Sequence, residues 1–328
     1  MDETKKISLF YTTLNVPLPD FIYDGIREFS KNANSYQPQP SKLVDSLAER
    51  HNVSRDRIFI TAGADEAIQL LAMAYGKSTY YYTPTYIGYQ DTENIGATVH
   101  PINAMHDGEY AINTARIDDA SLIYLANPNN PFGFTPRDKV VDLVKNNPQA
   151  IVVSDEVYDS FAPELSVLGE LSEYPNLVIL RSFSKGFGMA GNRIGYMIAS
   201  PHIVEQIRLK SPLSSTSYLS VGAALAALDH EQYFKDAIDE IKRTRETFTA
   251  FLKSKGRAVL PGLINAVLIK FPDENSAAKF LQHLNDNNFI VRQGGSGRNA
   301  GLDDTFVRIT IGTPDEMRMA TEVIERYE

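Results

Sequence analysis

Short apolar segments alternate with helical patterns along much of this chain, and this alternation limits the fold more than any other feature of the sequence. RIFIT, SLIYLA, AIVVSD and NLVILRSF are rich in β-branched residues and contain few polar ones. Strands of this kind suit a sheet that is covered on both faces. The helical segment ADEAIQLLAMAY directly follows RIFIT. The pattern therefore predicts an α/β fold.

The pattern changes after Pro201, where a long helix and a second α/β unit are expected. Residues 233–253 place five large apolar residues on one helical stripe: Phe234, Ile238, Ile241, Phe248 and Leu252. A chain of 328 residues exceeds the size at which one core usually keeps growing. We therefore predict an N-terminal segment (residues 1–35) that packs with the small domain, a large domain (36–225) and a small C-terminal domain (226–328).

Composition excludes several classes of function. The chain has 41 acidic and 32 basic residues, a net charge of -9, and no basic run, which argues against a nucleic-acid partner. It has no cysteine, which excludes disulfides and thiolate catalysis, and we predict no metal site. No apolar run approaches the roughly 20 residues that span a bilayer, and the first residues do not resemble a signal peptide. We expect a cytoplasmic protein.

The letters GFGMAG, residues 186–191, fit the glycine pattern of dinucleotide-binding folds. That fingerprint requires a strand before the glycines, a helix after them and an acidic residue about 20 positions further on. NLVILRSF is a credible strand, but NRIGYMIA after the glycines reads as another strand, and HIVEQIRLK beyond it has a helical pattern. The sequence therefore disfavours a dinucleotide site.

Lys185 offers a different interpretation of the same segment. Ser182, Ser184 and Arg193 surround it with two hydroxyls and a guanidinium, which are donors suited to a phosphate dianion. A lysine amine beside a phosphate site is what a Schiff base to pyridoxal phosphate requires. Taken alone, the segment is also typical of a surface lysine in a glycine loop.

Asp155 ends the apolar strand AIVVSD, at the position where open α/β sheets carry functional groups, and Tyr158 follows three residues later. An aspartate against the pyridine nitrogen of pyridoxal phosphate keeps that nitrogen protonated, and the tyrosine can donate to the phenolate oxygen of the ring. The alternative is a strand-end aspartate that caps the next turn, with the tyrosine as packing.

Three further segments supply candidates at strand ends. Asn130 in NPNNPFG offers an amide donor, although such a string is ordinary turn chemistry. The backbone N–H groups of Ala64 and Asp65 begin a helix and can face an anion, although an ordinary βα turn has the same pattern. Tyr86 in YYTPTYIGY has a flat ring that can stack on a planar cofactor or pack in the core.

The order of the motifs G-A-D-E, P-T-Y, N-P-N-N-P-x-G, D-E-x-Y, S-x-S-K-x-x-G-x-x-G-x-R-x-G and R-I-T-I-G-T resembles the fold type I aminotransferases, specifically the histidinol-phosphate aminotransferase branch. The resemblance extends from about Tyr36 to the C-terminus. It implies a large domain with a mostly parallel mixed sheet between helices, a smaller α/β domain, and pyridoxal phosphate as cofactor.

The resemblance also implies residue roles. Lys185 is the Schiff-base lysine and moves the proton at the substrate Cα. Asp155 partners the pyridine nitrogen and Tyr86 stacks on the ring. The remaining predicted cofactor ligands are Tyr158 and Asn130 for the phenolate, and Ser182, Ser184, Arg193 and the backbone of Ala64 and Asp65 for the phosphate. Tyr36 reaches the cofactor phosphate of the other subunit, which implies a homodimer with shared active sites.

Arg308 in FVRITIG and Arg292 in FIVRQ are the predicted substrate-binding residues, together with Asn130. In the family that the chain resembles, the first arginine binds the carboxylate of glutamate and the phosphate of histidinol phosphate in turn, and the second assists with the phosphate. By themselves both are typical of surface strand arginines. The N-terminal stretch TLNVPLPD departs from the N-E-N-P-like string of the family, and the glycine-rich loop Gly294 to Gly301 contains its own arginine, Arg298.

The sequence thus predicts a pyridoxal-phosphate aminotransferase with ping-pong kinetics, acting on L-histidinol phosphate and 2-oxoglutarate. The alternatives on this scaffold are an aromatic or other amino-acid aminotransferase and a phospho-amino-acid decarboxylase. A cofactor-binding regulator is disfavoured, because no basic helix that would suit a DNA-binding domain is present.

Overall fold

The computed structural model describes residues 6–295 and 299–327. The strands in these ranges are β1 (Ile7–Ser8), β2 (Ile58–Thr61), β3 (Thr79–Thr83), β4 (Thr85–Tyr86), β5 (Val99–Asn103), β6 (Met105–His106), β7 (Glu109–Tyr110), β8 (Leu122–Ala126), β9 (Ile151–Asp155), β10 (Leu177–Ser182), β11 (Gly195–Ile198), β12 (Ala258–Leu260), β13 (Ala266–Lys270), β14 (Phe289–Ile290), β15 (Arg292–Gln293), β16 (Asn299–Ala300) and β17 (Phe306–Thr310).

The α-helices of the same ranges are α1 (Asp20–Ser30), α2 (Ser41–His51), α3 (Ala64–Tyr75), α4 (Arg137–Asn146), α5 (Pro201–Arg208), α6 (Tyr218–Asp229), α7 (Glu231–Ser254), α8 (Glu274–Asp286) and α9 (Pro314–Glu325). A 3-10 segment covers Ile87–Ile95, between β4 and β5. Over the described part of the chain, no helix combines the length and apolar character that crossing a membrane requires.

A seven-stranded sheet forms the larger layer, in the order β2-β11-β10-β9-β8-β3-β5. The pairs from β10 through β9, β8 and β3 to β5 are parallel, and β11 is antiparallel to both of its neighbours. Its central strands β8 and β10 are buried along their whole length, as their apolar sequences require. The predicted α/β fold with a mostly parallel, mixed sheet between helices is confirmed.

The carboxyl ends of neighbouring parallel strands meet at one edge of this sheet. Ala126 at the end of β8 and Leu180 near the end of β10 are both register partners of Asp155 at the end of β9. Chain segments that leave these strands therefore begin beside one another, although they are about 30 residues apart in sequence. The start of α3, which follows β2, lies at the same edge, because β2 runs parallel to β10.

A four-stranded antiparallel sheet, β12-β13-β17-β15, forms the second layer with α8 and α9. Arg292 on β15 and Arg308 on β17 are direct register partners. Adjacent cross-strand residues share one face of a sheet, so the two arginines project in the same direction. The N-terminal strand β1 pairs in parallel with β14, beside this layer.

The amphipathic helix α1 packs closely on α6 through a pair of glycines. A Cβ added at Gly25 would lie 2.5 Å from the Gly222 carbonyl oxygen, and one added at Gly222 would lie 2.3 Å from the Gly25 oxygen. Only glycine permits this approach of two helix backbones. The predicted domain boundary at residues 225–226 falls inside α6, which packs on a helix of the N-terminal segment; the division into domains stays a prediction.

Candidate active site

One cavity of about 360 Å³ lies where the carboxyl edge of the large sheet faces β15 and β17. Every site residue predicted from the sequence lines it, except Tyr36: Ala64, Asp65, Tyr86, Asn130, Asp155, Tyr158, Ser182, Ser184, Lys185, Arg193, Arg292 and Arg308. These residues are distributed over more than 240 positions of the chain. They come together because strand order, rather than sequence distance, sets which strand ends are neighbours.

Asp155 is a buried carboxylate with two hydrogen bonds. The hydroxyl of Tyr89 donates to its Oδ2 at 2.6 Å, and the backbone N–H of Val157 donates to its Oδ1 at 3.2 Å. Burial raises the pKa of Asp155 from 3.8 to about 6, although both donors oppose that rise. The ring of Tyr89 stacks on Tyr124 at 4.8 Å between centroids, which fixes the direction of its hydroxyl.

Lys185 extends its amine toward the N-terminal segment. Its Nζ donates to both the backbone oxygen and the Oγ1 of Thr12, at 3.1 Å each. Thr12 Oγ1 also lies 2.7 Å from the hydroxyl of Tyr158. The lysine nitrogen is 5.4 Å from the centroid of the Tyr158 ring. The amine is therefore held within the cavity by a residue 173 positions away in sequence.

Arg308 connects the small sheet to the same group of side chains. Its Nη1 donates to Asn130 Oδ1 at 2.9 Å, and its Nη2 donates to the backbone oxygen of Phe10 at 2.6 Å. Asn130 in turn donates from Nδ2 to the hydroxyl of Tyr158 at 3.2 Å. Burial, with Arg292 nearby, lowers the pKa of Arg308 to about 10, so the guanidinium remains charged at neutral pH. Arg292 lies over the ring of Phe10, 4.8 Å from its centroid.

At the start of α3, the cavity is lined by hydrogen-bond donors that contact the carboxylate of Asp65. Arg193 Nη2 donates to Asp65 Oδ2 at 2.9 Å, and the hydroxyl of Tyr86 donates to Asp65 Oδ1 at 2.9 Å. Gly63, just before the helix, has a φ of +84°, and a Cβ there would lie 2.6 Å from Arg193 Nη2. A glycine is therefore required for the guanidinium to lie against the helix N-terminus. Ser182, close by, accepts at Oγ from the backbone N–H of Ser184 at 3.1 Å.

A buried ion-pair cluster adjoins the Asp155 strand end. Arg181 donates from Nη2 to Glu156 Oε2 at 2.6 Å and from Nη1 to Asp159. Its Nη2 also donates to the hydroxyl of Ser166 at 2.9 Å. The cluster joins β10 to the segment that carries Asp155 and Tyr158, so it holds the two strand ends together.

Tyr36 is the one predicted site residue that does not line the cavity of this chain. Tyr36 is 84% exposed, so its predicted contact with a second subunit stays a prediction. Arg298 of the glycine-rich loop lies outside the described residues.

Sequence reasoning missed two residues of the site, Thr12 and Tyr89. Tyr89 lies in the segment YYTPTYIGY, three residues after Tyr86, and its place in the run does not distinguish it from a packed aromatic residue. Thr12 carried no local signal, because its contacts with Lys185 and Tyr158 cross more than 140 positions of sequence.

Comparison with known proteins identifies the family. Residues 11–324 match the family described as aminotransferase class I and II. Histidinol-phosphate aminotransferase 2 of Dechloromonas aromatica is 31% identical over 304 residues, which cover 88% of this chain and 82% of that protein. The histidinol-phosphate aminotransferase of Bacillus subtilis (strain 168) is 32% identical over 288 residues, covering 84% and 78% respectively.

Solved structures share the fold. Histidinol-phosphate aminotransferase from Sinorhizobium meliloti, in complex with pyridoxal-5'-phosphate, superposes with a TM-score of 0.87 at 24% identity, over 99% of this chain and 92% of that one. L-threonine-O-3-phosphate decarboxylase from Porphyromonas gingivalis has a TM-score of 0.86 at 25% identity, over 98% and 99%. The chain therefore belongs to the class I and II aminotransferases and is a pyridoxal-phosphate-dependent aminotransferase.

Proposed function

We propose that this protein transfers the amino group of L-histidinol phosphate to 2-oxoglutarate by a ping-pong mechanism. The observation that carries the proposal is the grouping of a lysine amine, a buried carboxylate and two arginines of the small sheet around one cavity. The relatives from D. aromatica and B. subtilis are histidinol-phosphate aminotransferases by name, which supports the choice of substrate.

The donor set of the cavity fits pyridoxal phosphate. The hydroxyls of Ser182 and Ser184, the guanidinium of Arg193 and the first N–H groups of α3 suit a phosphate dianion. Gly63 has no Cβ, and this leaves room for the Arg193 guanidinium beside the first N–H groups of α3. Both can therefore bind the same phosphate. When bound, the cofactor supplies a carbonyl carbon for amines and a ring that accepts electrons from the substrate Cα.

The other roles follow from which groups face the cavity. Lys185 Nζ would hold the cofactor and would accept the proton from the substrate Cα. Asp155 would hold a proton on the ring nitrogen, and its burial would strengthen that charge interaction. Tyr158 and Asn130 would donate to the phenolate oxygen, and the Tyr86 ring, which lines the cavity, would pack on the cofactor.

Arg308 and Arg292 are proposed to bind the acidic groups of the substrates. Both are buried, and they project from one face of the small sheet into the cavity. A buried guanidinium favours a carboxylate or phosphate strongly, because an anionic partner offsets the cost of its desolvation. Two adjacent guanidinium groups suit a substrate phosphate and, in the second half-reaction, the distal carboxylate of 2-oxoglutarate.

The proposed assembly is a homodimer in which Tyr36 reaches the cofactor phosphate of the partner subunit. Tyr36 and Leu213 are 84% and 71% exposed. The two segments are adjacent, since Ser214 Oγ donates to the backbone oxygen of Gln37 at 2.8 Å. An exposed tyrosine beside an exposed leucine is typical of a surface that a partner covers.

A phospho-amino-acid decarboxylase is the second candidate. The likeness to the P. gingivalis decarboxylase, at 25% identity over nearly the whole chain, favours it over other amino-acid aminotransferases. Both reactions begin with the same cofactor and an anionic substrate, and they differ in which bond at Cα breaks.

An absorbance experiment tests these proposals. We expect the yellow band of the purified protein to disappear with L-histidinol phosphate and to return with 2-oxoglutarate. L-threonine O-3-phosphate serves as the matched phosphorylated control, with carbon dioxide measured in parallel. Bleaching by glutamate or an aromatic amino acid, but not by histidinol phosphate, would disprove the substrate assignment. Release of carbon dioxide without a keto product would establish the decarboxylase instead.

A further inference from the structure

The side-chain amide of Asn130 has one possible orientation. Arg308 offers only N–H donors, so the atom 2.9 Å from its Nη1 is the amide oxygen of Asn130. The amide nitrogen therefore faces Tyr158, 3.2 Å from the phenol oxygen. Tyr158 consequently accepts a hydrogen bond from Asn130.

Thr12 is held beside the same phenol oxygen from the other side. The backbone oxygens of Phe10 and Thr13 accept from Arg308 and Asn265, at 2.6 and 2.7 Å, so the chain is fixed on both sides of Thr12. Lys185 donates to Thr12 Oγ1. Thr12 Oγ1 lies 2.7 Å from the phenol oxygen of Tyr158, a distance at which its hydroxyl can donate to that oxygen.

We propose that Thr12 is a positioning residue that, together with Asn130, fills both lone pairs of the Tyr158 oxygen and directs the Tyr158 O–H into the cavity. A phenol oxygen has two lone pairs and one proton, so two incoming donors leave the proton to point away from both. Tyr158 lines the cavity, and this remaining direction is where a ligand oxygen can accept.

The consequence for catalysis rests on the proposed function. A Tyr158 proton that is already directed into the cavity can donate to the phenolate oxygen of the cofactor without first rotating. The same arrangement connects Arg308, which binds the acidic group of the substrate, with Lys185, which moves the proton: one hydrogen-bonded chain runs through Asn130, Tyr158 and Thr12. The substrate anion and the catalytic amine are thereby coupled.

The first test uses the cofactor-free protein and needs no activity. Tyrosine labelled with 13C at Cζ reports the hydrogen bonds of each phenol oxygen by NMR, and Tyr158→Phe assigns the Tyr158 signal. We expect Thr12→Val, which keeps the shape and removes the hydroxyl, to move that signal. Thr12→Ser should restore it. Thr13→Val is the matched control, since the Thr13 side chain contacts Asn15 rather than Tyr158.

The second test is a pH titration of the absorbance of the bound cofactor. Without Thr12, the Tyr158 hydroxyl is no longer directed at the phenolate oxygen of the cofactor and stabilises it less. Thr12→Val should therefore raise the pH midpoint of the absorbance change. The expected rise is about half to one pH unit, which corresponds to one neutral hydrogen bond. In the Tyr158→Phe background the same substitution should produce no further rise, because the group on which Thr12 acts is gone.

The outcomes separate this inference from the proposed function. An unchanged Tyr158 signal in Thr12→Val, or an equal midpoint shift with and without the Tyr158 hydroxyl, would overturn the role of Thr12. A wild-type protein that takes up no pyridoxal phosphate would refute the proposed function. The NMR experiment on the cofactor-free protein would still decide whether Thr12 donates to Tyr158.

Discussion

Replacement of Asp155 by Asn should stabilise the cofactor-free protein. The folded state raises the pKa of this carboxyl from 3.8 to about 6 by burial, so ionising it opposes folding. The resulting loss in the free energy of unfolding is absent below pH 3.8, grows between pH 3.8 and pH 6, and is constant at higher pH. At pH 8 it is about 3 kcal/mol, and at pH 5 about half of that. An amide of the same shape removes it, and both Val157 and Tyr89 can still hydrogen-bond to it.

The assay is urea unfolding of both cofactor-free proteins at pH 8 and pH 5, at one protein concentration. We expect Asp155→Asn to gain up to about 3 kcal/mol at pH 8 and about half as much at pH 5. Asp119→Asn is a matched control, because Asp119 also accepts from a tyrosine hydroxyl, that of Tyr80, but lies at the surface. Its hydrogen bonds lower its pKa, so this variant should gain no stability.

Addition of pyridoxal phosphate should make the wild type more stable than Asp155→Asn. The wild-type carboxylate then has a protonated ring nitrogen as its partner, and the cofactor should stabilise the wild type more than Asp155→Asn. The reasoning would be refuted if the variant were less stable than the wild type at pH 8 without cofactor, or if its gain were the same at both pH values.

Three further substitutions test other parts of the site and its support. Arg308→Gln should raise the KM for the acidic substrates by about 10- to 100-fold, the value of one charge-assisted hydrogen-bonded pair, in steady-state kinetics. Tyr89→Phe removes a donor that lowers the pKa of Asp155, so the loss of cofactor affinity on acidification should begin at higher pH, measured by fluorescence titration. Arg181→Met removes the cation that pairs with the buried Glu156 and the half-buried Asp159, and should destabilise the protein by about 3–5 kcal/mol at pH 7, with a smaller loss at pH 5, in urea unfolding.

The fold could be predicted from the sequence because its signals are local. The five apolar residues of the predicted stripe in residues 233–253 are all buried on α7. Strands β8, β9 and β10 lie within SLIYLA, AIVVSD and NLVILRSF. Burial on both faces requires continuous apolar character, and that character can be read in a window of a few residues. Strand order and register arise from packing between distant segments, and no local pattern specifies them.

The candidate site was predictable where its residues follow a strand or begin a helix. Asp155 is the last residue of β9, and Lys185 and Asn130 lie in the turns that follow β10 and β8, where turn residues mark the position. Thr12 lies between β1 and α1, outside any helix or strand. Its place depends on contacts with distant segments, among them the pairing of β1 with β14 and the hydrogen bonds of Phe10 and Thr13. Its role depends on tertiary contacts, so neither spacing nor composition could indicate it.

The difference between strand-end residues and the N-terminal segment predicts which part of the chain determines substrate preference. The proposed cofactor ligands come from segments that follow strands of the large sheet. The proposed substrate-binding arginines come from β15 and β17, and residues 11 and 12 line the same cavity, next to the segment TLNVPLPD. Phe10 contacts both Arg308 and Arg292, and Thr12 contacts Lys185. A change in this short segment can therefore alter both the anion site and the catalytic amine while the cofactor site remains intact, so substitutions that change the preferred substrate are expected there first.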